Sequence, residues 1–152
     1  MRAALFTQVG SPLEVVEDVQ LDAPRAGEVR VQVVACGVCH SDLSVISGTF
    51  PAMGPTVLGH EAAGIVLELG EGVTSLEVGD HVILTPNAAC GTCAYCIKGL
   101  QSVCASSMVI ATSMLPDGTS RLSRNGETVF HGLGVAAWAD EIVVHANGAI
   151  RI

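Results

Sequence analysis

Residues 90 to 104 read Cys90-Gly91-Thr92-Cys93-Ala94-Tyr95-Cys96-Ile97-Lys98-Gly99-Leu100-Gln101-Ser102-Val103-Cys104. The four thiols of this stretch stand at separations of three, three and eight residues. Four sulfur ligands without a histidine make a closed tetrahedral set, which suits a structural zinc ion because no position is left for substrate. The alternative is a pair of disulfides in a secreted loop, but cysteine usage is otherwise sparse. The stretch therefore predicts a structural-zinc lobe.

Length and composition limit what this lobe can belong to. A chain of 152 residues with 49% hydrophobic residues has the size of one ordinary domain and enough apolar side chains for a core. Fifteen acidic against seven basic residues give a formal charge of -8, which disfavours nucleic acid and anionic membranes as partners. The first apolar run is too short for a signal peptide, and no window reaches the roughly 18 apolar residues of a membrane span. We therefore expect a cytoplasmic protein.

Short β-branched runs, broken by Gly, Pro, Asp and Asn, dominate the rest of the chain. The predicted strands are Val15–Val16, Val29–Ala35, Ala63–Leu69, His81–Leu84 and Glu141–Val144. Strands this short, with frequent turns, indicate a barrel or a sandwich.

One segment is predicted as a helix, and one as a loop. The helix covers residues 41–47, with Ser41 or Asp42 as the N-cap and Gly48 as its end. Residues 115–127 are polar and contain glycine, which predicts an exposed loop.

A second group of candidate ligands lies where the longest strand meets this helix, at Cys36-Gly37-Val38-Cys39. Position favours Cys39 as a metal ligand, because the N–H groups at a helix N-terminus stabilise a thiolate. A redox dithiol formed with Cys36 is the alternative, but it requires a thioredoxin-like alternation of strands and helices that this sequence lacks. Cys36 is instead expected to be a small core residue at the strand end.

His60 follows Gly59 and precedes Glu61, twenty-one residues after Cys39. A lone histidine is usually a packed or surface imidazole. One thiolate and one imidazole leave a zinc sphere open, as in a catalytic site, and require a third ligand.

These residues carry a family resemblance. Gly59-His60-Glu61, with Gly64, Gly70 and Val73 at their spacing, resembles the signature of the zinc-containing alcohol dehydrogenases of the medium-chain family. The segments Cys39-His40-Ser41-Asp42 and Val78-Gly79-Asp80-His81-Val82 and the four-cysteine lobe occur in that family in the same order. The resemblance covers essentially the whole chain. It implies a mainly β fold, a GroES-like, partly open β-barrel with short helices and a structural-zinc lobe.

The resemblance also implies a role for each matching residue. Cys39 and His60 match catalytic-zinc ligands, and Glu61 matches a carboxylate that lies near the metal and can approach it. Cys90, Cys93, Cys96 and Cys104 match the structural-zinc ligands. Ser41 matches the hydroxyl that accepts the alcohol proton, Asp42 the acid that orients the histidine ligand, and His40 a basic residue at the cofactor pyrophosphate.

The implied function is oxidation of alcohols to aldehydes or ketones by hydride transfer to NAD or NADP. Residues 1–152 correspond to the GroES-like catalytic domain, with the zinc lobe at 90–104. We expect the nucleotide-binding Rossmann domain and the third catalytic ligand to lie outside this stretch, so that the stretch alone is inactive. Gly132-Leu133-Gly134-Val135-Ala136-Ala137 matches a dinucleotide loop as a string, but a strand instead of a helix follows it. The expected partners are a small alcohol or aldehyde, the missing Rossmann domain and, at full length, further copies of the protein.

The alternative is a self-standing zinc-binding GroES-like module with a non-catalytic assembly role.

Three departures from the family pattern are also visible. Ser44 replaces a relay histidine that many members carry, Trp138 replaces a phenylalanine, and Pro86 stands where some members place a bulky side chain against the substrate.

Overall fold

Two β-sheets, each curled like half of a barrel, form the body of the molecule. The computed structural model describes residues 1–86, 88–106 and 112–152. Its strands are β1 (Ala3–Phe6), β2 (Glu14–Val16), β3 (Gln20–Leu21), β4 (Glu28–Cys36), β5 (Thr56–Val57), β6 (Ala62–Leu69), β7 (His81–Leu84), β8 (Leu122–Arg124), β9 (Glu127–His131), β10 (Glu141–His145) and β11 (Ala149–Arg151). The expected mainly β, GroES-like architecture is confirmed.

The strands form a six-stranded and a five-stranded sheet. The first runs β2-β1-β5-β9-β8-β3 and the second β10-β4-β6-β7-β11. Within the described ranges the paired strands are antiparallel except for β5 and β9. The five predicted strands correspond to β2, β4, β6, β7 and β10. The strands that were not predicted have two to five residues, too few to show an alternating pattern.

Helix α1 (His40–Ile46) begins one residue earlier than predicted. Its N-cap is Cys39, with extended φ and ψ of -94° and 155°, so the prediction of Ser41 or Asp42 as N-cap is wrong. The reason is that Asp42 sits on the third helical position and accepts a hydrogen bond from the Cys39 N–H at 3.1 Å. Gly48, with φ of +79°, follows the helix end as predicted.

A second short helix, α2 (Ala94–Ile97), and a 3₁₀ turn at Gln101–Val103 lie inside the cysteine lobe. Two further 3₁₀ turns cover Gly132–Gly134 and Ala146–Gly148. Strand β10 comes soon after Gly134, so the glycine pattern at residues 132–137 does not open the helix that a dinucleotide loop requires.

The prediction of an exposed loop over residues 115–127 holds for residues 116–118 and 125–126, which are exposed and lie outside strands, but is wrong for the rest of the segment. Leu115, Arg121 and Leu122 are buried, and β8 and the start of β9 lie within this range. The Arg121 guanidinium donates to the two carboxylate oxygens of Glu28 at 2.6 and 2.9 Å and to Asp117 at 2.6 Å. Because these carboxylates compensate its charge, a polar segment can be buried here.

Among the described residues, three clusters of buried side chains form the core. One covers the five-stranded sheet around Val29, Val66 and Ile142, and another lies on the six-stranded sheet around Leu5 and Val129. The third consists of Phe6, Val45 and Leu58. It anchors α1 through Val45, and it fixes the segment that leads to His60 through Leu58. Fully burying each such side chain contributes about 1.5–3 kcal/mol.

None of the helices in the described ranges has the length and hydropathy required of a membrane span.

Candidate metal and catalytic sites

The structure brings the four predicted lobe cysteines together. The sulfur atoms of Cys90, Cys93, Cys96 and Cys104 all lie within 4.8 Å of one another. Cys90 Sγ is 4.0 Å from Cys96 Sγ, and Cys93 Sγ is 3.9 Å from Cys104 Sγ. Disulfide sulfurs would be about 2.05 Å apart, and all four cysteines are free. A tetrahedron with Zn–S bonds of about 2.3 Å has edges of roughly 3.8 Å, so the four sulfurs fit a zinc ion.

Backbone N–H groups point at these sulfurs. Cys90 Sγ accepts from the Cys93 N–H at 3.4 Å, and Cys93 Sγ accepts from the Cys96 N–H at 3.5 Å, at the start of α2. Cys104 Sγ accepts from the N–H groups of Cys90 and Ser106 at 3.3 and 3.4 Å. Such bonds stabilise thiolates, the form that binds metal.

The pKa values of the lobe cysteines favour a bound cation. Hydrogen bonds from the Thr92 and Cys93 backbones lower the pKa of Cys90 to about 5. Burial, together with the neighbouring sulfurs, raises the pKa of Cys96 to about 12. The two shifts oppose each other because a second anionic sulfur in so small a volume is unfavourable. A divalent cation at the centre would remove that conflict.

The second predicted set also converges. One ligand atom each from Cys39, His60 and Glu61 lies within 4.8 Å of the others. Cys39 is half-buried, His60 is 9% exposed, and Glu61 is exposed. A thiol, an imidazole and a carboxylate are the donor types of catalytic zinc sites. Three donors leave one position of a tetrahedral zinc sphere for a further ligand, so this set is open whereas the sulfur set is closed.

Asp42 contacts both Cys39 and His60. Its side chain is fully buried; Oδ2 accepts from the Cys39 N–H at 3.1 Å, and Oδ1 accepts from the Gly59 N–H at 3.0 Å. Oδ1 also lies 3.4 Å from His60 Nδ1, a buried atom without a hydrogen-bond partner in the described residues. With Nδ1 facing Asp42, Nε2 is the ring atom available to a metal, which is the orienting arrangement expected of a metal-bound histidine.

An open cleft of about 570 Å³ lies beside this set. His60, Glu61, Cys36, Thr85 and Pro86 are among its lining residues. Cys36 ends β4 as predicted and packs, half-buried, against the core cluster of the five-stranded sheet, and it also lines the cleft. Burial raises the pKa of its thiol, and its Sγ donates to the Gly37 carbonyl at 3.3 Å. This favours the neutral thiol of Cys36 over a ligand role.

His40 and Ser41 follow Cys39 in the first turn of α1. The Ser41 hydroxyl lies 3.5 Å from Cys39 Sγ, close enough to meet a small molecule bound at the same place. His40 is exposed, and its Nδ1 lies 3.5 Å from the buried Ser44 hydroxyl. Ser44 also donates to the His40 carbonyl at 3.1 Å. The side chain that replaces the relay histidine is therefore held within the helix.

Trp138 is a residue that the sequence did not mark as part of the site. Its indole N–H donates to the Gly37 carbonyl at 3.1 Å, across 101 residues of sequence. A Cβ at Gly59 would lie 2.7 Å from the indole Nε1, so the ring occupies the space beside that glycine. The only sequence signal was the change from the family's phenylalanine.

Comparisons with known proteins agree with this geometry. Residues 25–152 match the family described as "Alcohol dehydrogenase GroES-like domain". The chain is 46% identical over 147 residues to an S-(hydroxymethyl)glutathione dehydrogenase of Synechocystis sp.; the match covers 94% of this chain and 39% of that relative. The chain thus spans about two fifths of the length of this curated relative.

Solved structures give the same result. An alcohol dehydrogenase zinc-binding domain protein from Burkholderia ambifaria superposes with a TM-score of 0.91 at 37% identity, over 99% of this chain and 41% of that one. Benzyl alcohol dehydrogenase from Acinetobacter calcoaceticus gives 0.88 at 31% identity, over 99% and 40%. With the family match covering most of its residues, the chain belongs to the GroES-like domain family of the alcohol dehydrogenases.

Proposed function

We propose that this chain is the catalytic-domain portion of a zinc-dependent alcohol dehydrogenase that oxidises alcohols to aldehydes or ketones with NAD or NADP. The convergence of Cys39, His60 and Glu61 beside an open cleft carries the proposal. In this reading residues 1–152 form the GroES-like domain, the lobe at 90–104 holds a structural zinc, and the nucleotide-binding domain belongs to the part of the relatives that this chain does not cover.

Each residue of the open set has a task. Cys39 and His60 would hold the catalytic zinc, and Glu61, which is exposed, would approach it when ligands exchange. A zinc ion bound there would supply a Lewis acid that makes an alcohol easier to deprotonate. Ser41 would accept the alcohol proton, since its hydroxyl lies 3.5 Å from Cys39 Sγ. Asp42 would keep His60 in the tautomer that presents Nε2.

Proton transfer beyond Ser41 would not use a histidine on the next turn of α1. Ser44 is buried there and bonded to the His40 carbonyl. His40 is exposed at the N-terminus of the helix, where a basic side chain would meet the anionic pyrophosphate of the nicotinamide cofactor. The protein would thus rely on solvent or on cofactor hydroxyls to carry the proton away.

The substrate class is an alcohol, and the named activities of the relatives guide the choice of test compounds. At full length we expect a homo-oligomer in a reducing cytoplasm. The self-standing assembly module is less well supported, because an open Cys–His–Glu set with a buried orienting carboxylate has no task in such a module.

Alcohol dehydrogenase activity should be assayed with the protein as the cell produces it. It should reduce NAD⁺ or NADP⁺ when supplied with benzyl alcohol, S-(hydroxymethyl)glutathione or a panel of simple alcohols. Cys39→Ser should abolish that activity, whereas Ser47→Ala, at the other end of α1, should keep it. A well-folded, zinc-loaded protein that turns over none of these alcohols with either cofactor would refute the proposal.

A further inference from the structure

Trp138 contacts both chain segments that carry the ligands of the open metal set. Its backbone N–H donates to the Leu58 carbonyl at 2.8 Å, and the neighbouring Ala137 N–H donates to the Gly59 carbonyl at 2.8 Å. These bonds join the approach to β10 to the segment that ends at His60. The indole N–H then reaches the Gly37 carbonyl, two residues before Cys39.

Close packing at two positions explains why Gly59 and Gly37 are glycines. Gly59 has φ of +88°, and a Cβ there would overlap the indole. A Cβ at Gly37 would lie 2.9 Å from a Glu61 carboxylate oxygen, and the Gly37 N–H donates to the Glu61 carbonyl at 2.8 Å. Gly37 is therefore tied to Trp138 on one side and to Glu61 on the other.

We propose that Trp138 is a positioning residue for the metal site formed by Cys39, His60 and Glu61. Its ring packs beside Gly59, and its N–H fixes the carbonyl of Gly37, so that the turn before Cys39 keeps a constant distance from His60. The inference rests on the proposed metal site and extends it. Asp42, in α1, also links these two segments, because it accepts hydrogen bonds from the backbone N–H groups of Cys39 and Gly59. Trp138 makes a second link, through its indole bond to the Gly37 carbonyl.

The indole N–H is the part of the side chain that can be tested separately. Phenylalanine, the residue that the family pattern has here, keeps an aromatic ring beside Gly59 but has no donor for Gly37. If Trp138 serves only to fill space, its replacement by phenylalanine should leave the metal affinity of both sites unchanged. A positioning side chain would lose affinity at one site and keep it at the other.

Cobalt titration of the 152-residue chain separates these outcomes. The cysteine lobe is first filled with Zn²⁺, which has no visible absorption, and Co²⁺ is then added while the thiolate-to-cobalt absorption is recorded. In the wild-type chain this band should depend on Cys39, as shown by its loss in Cys39→Ser. Trp138 is the single tryptophan of the sequence, so Co²⁺ should also quench the fluorescence of the wild-type chain.

Trp138→Phe should weaken Co²⁺ binding at this site about three- to tenfold, the range that loss of one hydrogen bond gives, and leave Zn²⁺ affinity of the lobe unchanged. Ser47→Ala is the control: it loses a bond of 3.3 Å to the Ser44 carbonyl at the far end of α1 and should change neither affinity. If Trp138→Phe binds Co²⁺ as tightly as the wild-type chain, Trp138 does not position the metal site, although the metal site itself stands. The same conclusion follows if Trp138→Phe weakens metal binding equally at both sites. A wild-type chain without any Cys39-dependent band would overturn the metal site and this inference together.

Discussion

Arg121 and Glu28 form a two-point ion pair in the interior, with Nη2 and Nε of the guanidinium 2.6 and 2.9 Å from the two carboxylate oxygens. The Arg121 side chain has no solvent exposure, and that of Glu28 is 5% exposed. The pair joins β4 to the segment before β8, which are 93 residues apart in sequence.

Arg121→Leu should therefore destabilise the chain strongly. It leaves the buried Glu28 carboxylate, which also accepts the Arg25 backbone N–H, without its compensating charge, a change that costs about 3–5 kcal/mol of unfolding free energy. Urea denaturation followed by circular dichroism measures this. Arg124→Ala removes the half-exposed partner of Asp18 and should leave the midpoint close to that of wild type. If the two variants unfold at the same urea concentration, the buried pair is not a source of stability.

The stability of the chain should fall as the pH drops from 6.5 to about 4, because of His131. Its imidazole is fully buried, and burial lowers its pKa to about 4, so the folded chain resists protonation that the unfolded chain accepts. The contribution is complete above pH 6.5 and is lost as the pH falls towards 4, by about 3 kcal/mol in total.

His131→Gln tests this pH dependence. Glutamine does not titrate, and its amide oxygen can accept the Arg121 N–H that bonds His131 Nε2 at 3.2 Å. The difference in unfolding free energy between wild type and variant should change between pH 7 and pH 4, since contributions common to both proteins cancel. Parallel stability curves for the two proteins would contradict the assignment.

The lobe at residues 90–104 should loosen in Cys93→Ser. Loss of one ligand removes most of the binding energy of a structural zinc, which is on the order of 10 kcal/mol and comparable to the stability of a whole domain. Zinc content should fall, and proteolysis should cut within the lobe. Tyr95→Phe, a change in the same helix that leaves the sulfurs in place, should alter neither. Unchanged zinc content and protease resistance in Cys93→Ser would show that the lobe assignment is wrong.

The convergence of the lobe cysteines could be predicted from the sequence because most of their geometry is local. Cys90, Cys93 and Cys96 lie within seven residues, and the turn into α2 brings their sulfurs together. The long strands β4 and β6 were predicted for a similar reason, since eight or nine residues suffice to show their apolar pattern.

The features that were missed depend on distant partners. Arg121 is buried because Glu28 compensates its charge, and nothing near Arg121 in the sequence shows this. The bond from Trp138 to Gly37 likewise joins residues 101 positions apart. Cys36 packs against the core at the predicted strand end, but nothing near it in the sequence shows that it also lines a cleft.

Asp42→Asn should weaken metal binding at the open set by about 10- to 100-fold, the usual effect of removing an orienting carboxylate. The amide can still accept from the Cys39 or Gly59 N–H, but it lacks the charge that faces His60 Nδ1. Asp80→Asn is a matched control, because Asp80 accepts the Glu77 N–H at 2.9 Å in a remote turn. Competition with a chelator measures both variants. Equal metal affinity of the two would show that Asp42 supports only the backbone.

Ser41→Ala should leave the fold and both metal affinities unchanged and lower alcohol turnover about 10²- to 10⁴-fold, as expected when a proton acceptor is lost. Ser41 is half-buried, and its hydroxyl contacts the Sγ of Cys39, itself half-buried, at 3.5 Å, so its loss leaves no fully buried group unpaired there. The assay uses the protein as the cell makes it, with kcat measured across pH. Ser41→Thr keeps the hydroxyl and should restore turnover. If Ser41→Ala and Ser41→Thr reduce turnover equally, the hydroxyl does not accept the alcohol proton, and the two variants act through the shape of the cleft.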